Sequence, residues 1–528
     1  MLVEPHVSWF PEELPRPIAF TTQKESQRMP HPTSHEGRPH LEAIPKVPTG
    51  IGGLDEVLHG GLAEGRTTLI SGGPGTGKTL LSLEILYRGV LAGQPGLFVT
   101  FEETADAIRR DARALGWDLD ALERSGMLFI LQADVSPDMI LSGDFSVGGL
   151  LAILAGKLNE LGARCVVLDA VDVLMRVFRD PAREQSQFLI VRDWLRQRSL
   201  NSLLTVKTTD GGTVQYPFLD FMADCVIRLD QRVDGQVTTR RLRVLKFRGS
   251  GYMANECPFL IDTNGTGGGF VVMPVPSLVP VQHPLDERLS TGNRALDELT
   301  GGGYWRGSCV LVIGSSGTGK TTLACTFAVA ACRRGEKVLY VSFEDSDVAL
   351  VKSMGSPGID LSTHREAGRL LLHAVMPESL GVEQHLHQIL QARKAFSADH
   401  VVVDSISACR RLGSQHAAFD FLVRLLTHSK TDGVTCLFVN QRSNGTGHQD
   451  ASGIGIASLV DTLVELGLVA CGGTLERTLL VRKSRGTKHS LLEHRFLITE
   501  QGLELPVSAA REQLRPPPVG TAPPGSRS

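Results

Sequence analysis

No C-x-x-C pair occurs in the 528 residues, although there are nine cysteines. Scattered single thiols exclude a zinc ribbon and a disulfide framework, and fit buried core positions in a reducing compartment. No apolar run reaches the ~18 to 20 residues that a bilayer-crossing helix needs, so no membrane span is expected. The N-terminus has no basic segment followed by an apolar one. It does not read as a secretory signal, and the cytoplasm is the expected location. Neither charge is in excess: 54 Lys and Arg against 57 Asp and Glu leave a net charge of −3. A globally basic surface is thereby excluded, which argues against nucleic acid as a partner and leaves only a local basic groove. What remains is the composition of a globular protein, 42% hydrophobic and 21% charged. The chain is too long for one core, so two or more domains are expected.

Within this ordinary background one stretch is sharply patterned. Gly72-Gly-Pro-Gly-Thr-Gly-Lys78-Thr79 fits G-x-x-x-x-G-K-[ST], in which a glycine-rich turn aims backbone N–H groups at phosphates. The apolar run 67–71 reads as the strand before it, and Leu80 to Leu91 as the helix after it. The backbone of Gly75, Thr76, Gly77, Lys78 and Thr79 would cradle the phosphates of ATP. Lys78 would reach the β- and γ-phosphates, and the Thr79 hydroxyl would ligate Mg²⁺. A second copy, with Gly317, Thr318, Gly319, Lys320 and Thr321, stands 242 residues on (320 − 78).

The repeat runs well beyond the P-loop. Asp55 and Asp297, and Glu102 and Glu344, keep the same offset of 242 residues. A period this long indicates duplicated domains and not a solenoid. In each copy an apolar strand ends in acids, Glu102-Glu103 and Glu344-Asp345. Acids at the carboxyl end of a strand in an open α/β sheet face the ligand crevice, where one can orient an attacking water. The competing reading is a helix N-cap or first-turn acid. Next come Cys165-Val-Val-Leu-Asp169 and His400-Val-Val-Val-Asp404, buried parallel strands whose terminal Asp would hold Mg²⁺. Further strands are expected near 203–207, 221–229, 435–441 and 459–466.

Each copy closes with a basic hairpin, Lys246-Phe-Arg248-Gly and Lys483-Ser-Arg485-Gly. Two cations on one strand face, far in sequence from their own P-loop, could serve the nucleotide of a neighbouring subunit. The alternative is a solvated basic edge strand. The segments sort into a flexible arm (1–44), a first domain (45–269), a Pro- and Val-rich linker (270–286), a second domain (287–505) and a Pro-rich disordered tail (506–528).

Taken together, these residues resemble the KaiC family, two-lobed ATPases and autokinases of the cyanobacterial clock and their non-clock bacterial relatives. The likeness rests on GGPGTGKT with Phe101-Glu-Glu, GSSGTGKT with Phe343-Glu-Asp, Leu54-Asp-Glu with His59-Gly-Gly, Lys246-Phe-Arg-Gly with Pro258-Phe-Leu-Ile261, and 483–489. It implies an α/β fold: tandem RecA-like P-loop NTPase domains, each a mostly parallel twisted sheet flanked by helices. It also implies a homohexamer of two stacked rings, with Mg·ATP between neighbours. The first lobe would hydrolyse ATP with Glu102 and Glu103. In the second lobe Glu344 would act as base in transfer of the γ-phosphate to a hydroxyl of the next subunit, a transfer that can run in reverse. Further nucleotide contacts would come from Leu80, Ser250, Thr322, Arg477, Thr487 and His489, and Glu344 would also lie at the metal.

Two departures matter. The second acid is the shorter Asp345. Where the family has adjacent Ser and Thr acceptors, this sequence has Ala457 and Ser458, so phosphorylation on Ser458 is expected without an ordered two-site cycle. Two other classes of function stay open: a RadA- or RecA-like DNA-dependent ATPase, and a nucleotide-assembled signalling scaffold that recruits a partner through its tails. A DNA motor would need a mobile basic loop, and 444–449 carries neither Lys nor Arg.

Overall fold

The computed structural model describes residues 44–133, 146–178, 180–208, 216–234, 237–263, 268–274, 286–412, 415–442 and 455–505. The arm, most of the linker, the tail and the loop at 444–449 therefore lie outside the described residues, and so do the expectations made for them.

Two sheets of nine strands dominate. In the first lobe the strands are β1 (Thr67–Gly72), β2 (Gly96–Thr100), β3 (Leu128–Gln132), β4 (Cys165–Asp169), β5 (Asn201–Lys207), β6 (Cys225–Asp234), β7 (Val237–Phe247), β8 (Cys257–Asp262) and β9 (Gly269–Val272). Their order across the sheet is β3-β2-β4-β5-β1-β6-β7-β8-β9. The first six are mutually parallel, and the last three turn back antiparallel. The second lobe repeats this with β10 (Cys309–Gly314), β11 (Val338–Ser342), β12 (Leu370–Ala374), β13 (His400–Asp404), β14 (Thr435–Gln441), β15 (Thr462–Cys471), β16 (Thr474–Ser484), β17 (His494–Thr499) and β18 (Gly502–Glu504). Their order is β12-β11-β13-β14-β10-β15-β16-β17-β18.

The central strands are uninterrupted apolar runs because both their faces are covered by helices. In β10, Val310, Leu311, Val312 and Ile313 are wholly buried. The pattern of helices on both faces of a mostly parallel sheet is that of tandem RecA-like P-loop domains. None of the nine cysteines, all of them among the described residues, is joined in a disulfide. Among the described residues no helix is long and apolar enough to cross a membrane.

Helix α1 (Lys78–Leu91) leaves β1 through Gly77, whose φ of 94° lies in the left-handed region. A Cβ there would stand 2.9 Å from the ring of Phe270, so Gly77 is needed for shape as well as for phosphate access. Phe270 belongs to β9, which corrects the expected boundary: the linker does not begin at 270, because Gly269–Val272 still pairs with β8. Its place is secured by Glu84 of α1. That carboxylate is fully buried and accepts from the Phe270 N–H at 2.6 Å and from Arg88 Nε at 2.7 Å.

The other helices used below are α2 (Pro217–Met222), α3 (Lys320–Arg333), α4 (Val382–Phe396) and α5 (Gln415–Thr431). Helix α2 is a second correction. A strand was expected from 221, yet Pro217 starts a helical turn and β6 begins only at Cys225. Proline suits a first helical turn and would interrupt a central strand. The β8–β9 ribbon also carries the contact between lobes. Leu260, Val271 and Met273 join the second-lobe core, and Arg241 of β7 pairs with the buried Glu383 of α4 at 3.2 Å.

Glu84→Ala should lower stability by about 3 kcal/mol, because it strands a buried N–H and a guanidinium. Urea unfolding followed by tryptophan fluorescence measures this; an unchanged midpoint would show that the β9 tether is unimportant. Glu84→Gln, which can still accept from Phe270, should lose less.

Candidate active site

Parallel pairing delivers the chemically active groups to one edge of each sheet. Gly72 ends β1, Thr100 ends β2 and Asp169 ends β4, so the P-loop, the acids and the terminal aspartate meet at the carboxyl edge. Thr79 Oγ1 donates to Asp169 Oδ2 at 2.9 Å, and Thr205 Oγ1 donates to the other carboxylate oxygen. Lys78 is buried and its Nζ donates to the Gly73 carbonyl at 2.8 Å. In the second lobe Asp404 accepts from Tyr340 OH at 2.8 Å and from Thr321. Lys320 Nζ there donates to the Ser315 carbonyl at 2.8 Å. A non-proline cis peptide follows each of these aspartates, at Asp169-Ala170 and Asp404-Ser405.

Burial pushes both carboxyls above the ordinary aspartate range and pulls Lys78 and Lys320 below the usual lysine range. A divalent cation answers the first penalty and a polyphosphate the second. One buried carboxylate beside a threonine hydroxyl is an all-oxygen donor set of the sort Mg²⁺ takes, with phosphates and water completing the octahedron. No group of three or more His, Cys, Asp or Glu able to cage a metal occurs among the described residues. Thr79, Asp169, Thr321 and Asp404 would hold the ion. Glu344 accepts from Ser405 Oγ, which follows Asp404, and so stands beside that site.

The acids are not helix caps. Thr104 and Ser346 cap the next helices, accepting from Ala107 and Ala349 N–H groups. Glu102 and Glu344 are exposed at the crevice. The second acids are fixed through their backbones: the N–H of Glu103 donates to Thr100 Oγ1 at 3.1 Å, and that of Asp345 to Ser342 Oγ at 3.0 Å. Burial and the neighbouring Asp169 raise the Glu103 carboxyl above its usual range.

The basic pairs lie elsewhere. Phe247 is opposite Cys225, and Cys225 is opposite Thr68, near the start of β1; Gly72 is level with Leu229. Lys246 and Arg248 thus occupy the amino edge, about 13 Å of strand away from their own P-loop. The same holds for Lys483 and Arg485, since Ser484 pairs with Thr462 and Thr462 with Val310. A register shift places one extra residue beside each lysine, Leu245 before Lys246 and Arg482 before Lys483. Such a bulge re-aims a side chain.

Each pair grips a backbone turn. Lys246 Nζ donates to the Asp220 and Phe221 carbonyls at 2.9 Å each, and Arg248 to Phe221 at 2.7 Å. Lys483 donates to Val460 at 2.7 Å, and Arg485 to the Ser458 carbonyl at 2.9 Å. Ser458 is therefore the counterpart of Phe221, which is 75% exposed at the end of α2. The spacing agrees: Phe221 stands 25 residues before Lys246 (246 − 221) and Ser458 stands 25 before Lys483 (483 − 458), although the offset between copies has changed from 242 by this point.

The remaining candidates divide between the two edges. Leu80 and Thr322 lie in the first turns of α1 and α3. Arg477 Nε donates to the Gly317 carbonyl at 3.3 Å, at its own P-loop. Ser250, Thr487 and His489 stay with the basic hairpins. Thr487 is bonded by Arg288, and His489 Nε2 is buried with no hydrogen-bond partner among the described residues. Two residues escaped sequence reading, Lys207 and Ser405. Lys207 ends an expected strand and Ser405 closes the stretch that carries Asp404, but only the fold brings them to Glu102 and Glu344.

With this geometry in view, the comparisons are unambiguous. A family model described as "ATPase: KaiC" matches residues 47–267 and again 289–508.

The chain belongs to the KaiC family.

It is similar to the circadian clock protein KaiC2 of Synechocystis, 35% identical over 464 residues that cover 87% of this chain and 81% of the relative. A circadian clock oscillator protein KaiC of Parathermosynechococcus lividus is 34% identical, covering 94% and 91%. That of Synechococcus elongatus is 32% identical, covering 90% and 91%. Two KaiC-type ATPase domains in tandem thus account for nearly all of the described chain.

Asp404→Asn tests the buried carboxylate. Its folded pKa lies above the unfolded value, so without metal the fold loses stability as pH rises from about 4 through that value. Asparagine lacks this loss. At neutral pH without Mg²⁺ the variant should melt at or above the temperature of wild type. In an Asp169→Asn background, which removes the first-lobe site, Mg²⁺ should stabilise the protein that keeps Asp404 and not the one that also carries Asp404→Asn. A metal response retained in that double variant would remove Asp404 from the site.

Proposed function

We propose that this KaiC-family ATPase works as a cytoplasmic homohexameric ring, with ATP bound between neighbours, hydrolysing ATP in the first lobe and phosphorylating Ser458 in the second. The observation that carries the reading is the separation of edges. Phosphate-binding and acidic groups lie at the carboxyl edge of each sheet, while the Lys-x-Arg pair and the turn it grips lie at the amino edge. Neither half of the machinery can meet within one lobe. Both meet if the amino edge of one subunit abuts the carboxyl edge of the next, the arrangement implied by the family likeness.

The chemistry then follows from the residues. In the first lobe a water oxygen attacks the γ-phosphorus in line, the bond to the β–γ bridging oxygen breaks, and ADP leaves. Glu102 accepts the proton, and Lys246 and Arg248 of the neighbour offset charge on the transferred group. Mg²⁺, when bound, would neutralise the β- and γ-oxygens. In the second lobe the exposed Ser458 hydroxyl replaces water and Glu344 takes its proton; Lys483 and Arg485 hold the acceptor turn. The two lobes differ at the acceptor position: the first presents the phenyl ring of Phe221 where the second presents the Ser458 hydroxyl, so water serves as the first lobe's nucleophile. The reverse transfer, from phosphoserine to ADP, uses the same groups.

Incubation with γ-labelled ATP and mapping of the label tests this. Label is expected on Ser458, reduced at least a hundredfold in Ser458→Ala and in Glu344→Gln, with free phosphate still produced by the first lobe. Free phosphate with no label on the protein would sink the kinase assignment. Phe221→Ser should add a second, weaker labelled site. Light scattering with and without ATP reports the ring, and a nucleotide-independent monomer would exclude it.

A further inference from the structure

The glutamate at the crevice is held by different chemistry in the two lobes. Glu102 is ion-paired with Lys207. Glu344 instead accepts from Ser405 Oγ, itself 2.6 Å from the Ser407 hydroxyl. The register shows that the holding positions correspond. Lys207 is level with Gly72, the first residue of its P-loop, and Gln441 is level with Gly314. The Lys207 N–H donates to Asp172 at 3.3 Å, and the Gln441 N–H to Ser407 at 3.3 Å. One lobe therefore carries a cation where the other carries a neutral amide and a pair of hydroxyls.

The root of Lys207 is fixed and its end is not. Asp172, which accepts from the backbone, is fully buried and paired with Arg176. The Lys207 side chain is 34% exposed and Glu102 43%. An ion pair this exposed is weak, so a stronger anion displaces either partner. Lys207 also lies within the field of the P-loop lysine: its charge is among those that lower Lys78. A γ-phosphate placed on Lys78 would be such an anion, more highly charged than one carboxylate and within the same crevice.

We propose that Lys207 is a positioning residue that couples the γ-phosphate to the base. With the crevice free of γ-phosphate it holds the Glu102 carboxylate. With ATP bound it turns to the γ-phosphate, and Glu102 is released to accept a hydrogen bond from the attacking water. ADP, lacking that group, leaves the pair closed. The first lobe thereby spends its base on water only when a transferable phosphate is present. The second lobe, with Gln441, lacks this device. The inference rests on assigning hydrolysis to the first lobe.

The test uses the full chain with Lys320→Ala, which confines nucleotide binding to the first lobe, and adds Lys207→Gln or Lys207→Arg. Affinities for ADP and for a non-hydrolysable ATP analogue are measured beside steady-state turnover. Lys207→Gln is expected to lose about tenfold in affinity for the analogue and a similar factor in turnover, with ADP affinity unchanged. Lys207→Arg should restore both. Retained ADP binding certifies the folded site. Equal losses for ADP and analogue, or no loss in either, would overturn the proposal. Absence of turnover with Lys207 intact would strike the hydrolysis assignment alone, because the binding comparison reads Lys207 without it.

Discussion

Parallel pairing of six strands is the constraint on which everything else depends. Hydrogen bonds between β1 and its neighbours β5 and β6, and on through β4 and β2, align the carboxyl ends of these strands. Whatever follows a strand must then emerge at that edge, and whatever precedes one must lie at the other. The P-loop, the acids and the terminal aspartate all follow strands. The turn at Phe221 or Ser458 precedes one, and the antiparallel β7 and β16 return the basic pair to the same side. The division of the site into two halves is thus a consequence of strand direction. No special feature of the active residues was needed to produce it.

The same constraint explains why much of the design was readable before any coordinates. A P-loop, an acid after an apolar run and an aspartate closing another are local patterns. Strand direction converts each into a shared location, and duplication supplies an internal control. The lobes, the nucleotide-binding loops and Asp169 and Asp404 needed nothing further. What escaped reading depends on pairing between distant segments. Lys207 sits at the end of an ordinary strand and becomes informative only beside Glu102, which is 105 residues away. Ser405 reads as a residue after a motif until its hydroxyl is found on Glu344. Residues 270–272 looked like linker because they run into a stretch rich in Pro and Val and are too few to carry a periodicity; their identity as strand comes from β8 and from Glu84. Phe221 and Met222, the end of the helical turn, looked like strand because their apolar side chains run on into β6.

The lobes share a backbone plan and diverge in a few side chains at the two edges. Phe221 opposes Ser458, Lys207 opposes Gln441, and Ala170 opposes Ser405. Each exchange leaves the surrounding geometry intact: the cis peptides, the bulges beside the lysines and the caps at Thr104 and Ser346 recur in both copies. Stability and chemistry therefore reside in separable sets of residues. The buried strands fix the frame, and in the proposed reactions positions at the two edges set which nucleophile is offered and how the base is restrained. Glu383, gripped by Arg241 of the first lobe, belongs to the frame and joins the two copies.

The placement of P-loop and basic hairpin on opposite edges has a genetic consequence. In the proposed ring every reaction centre is a joint property of two chains, so defects at the two edges are not equivalent. A subunit lacking Lys320 spoils the centre on one of its sides, and a subunit lacking Arg485 spoils the centre on the other. Rings assembled from a mixture of the two would contain some interfaces built from an intact P-loop and an intact hairpin. Two alleles, each silent alone, would complement one another within a single particle, whereas two alleles from the same edge would not.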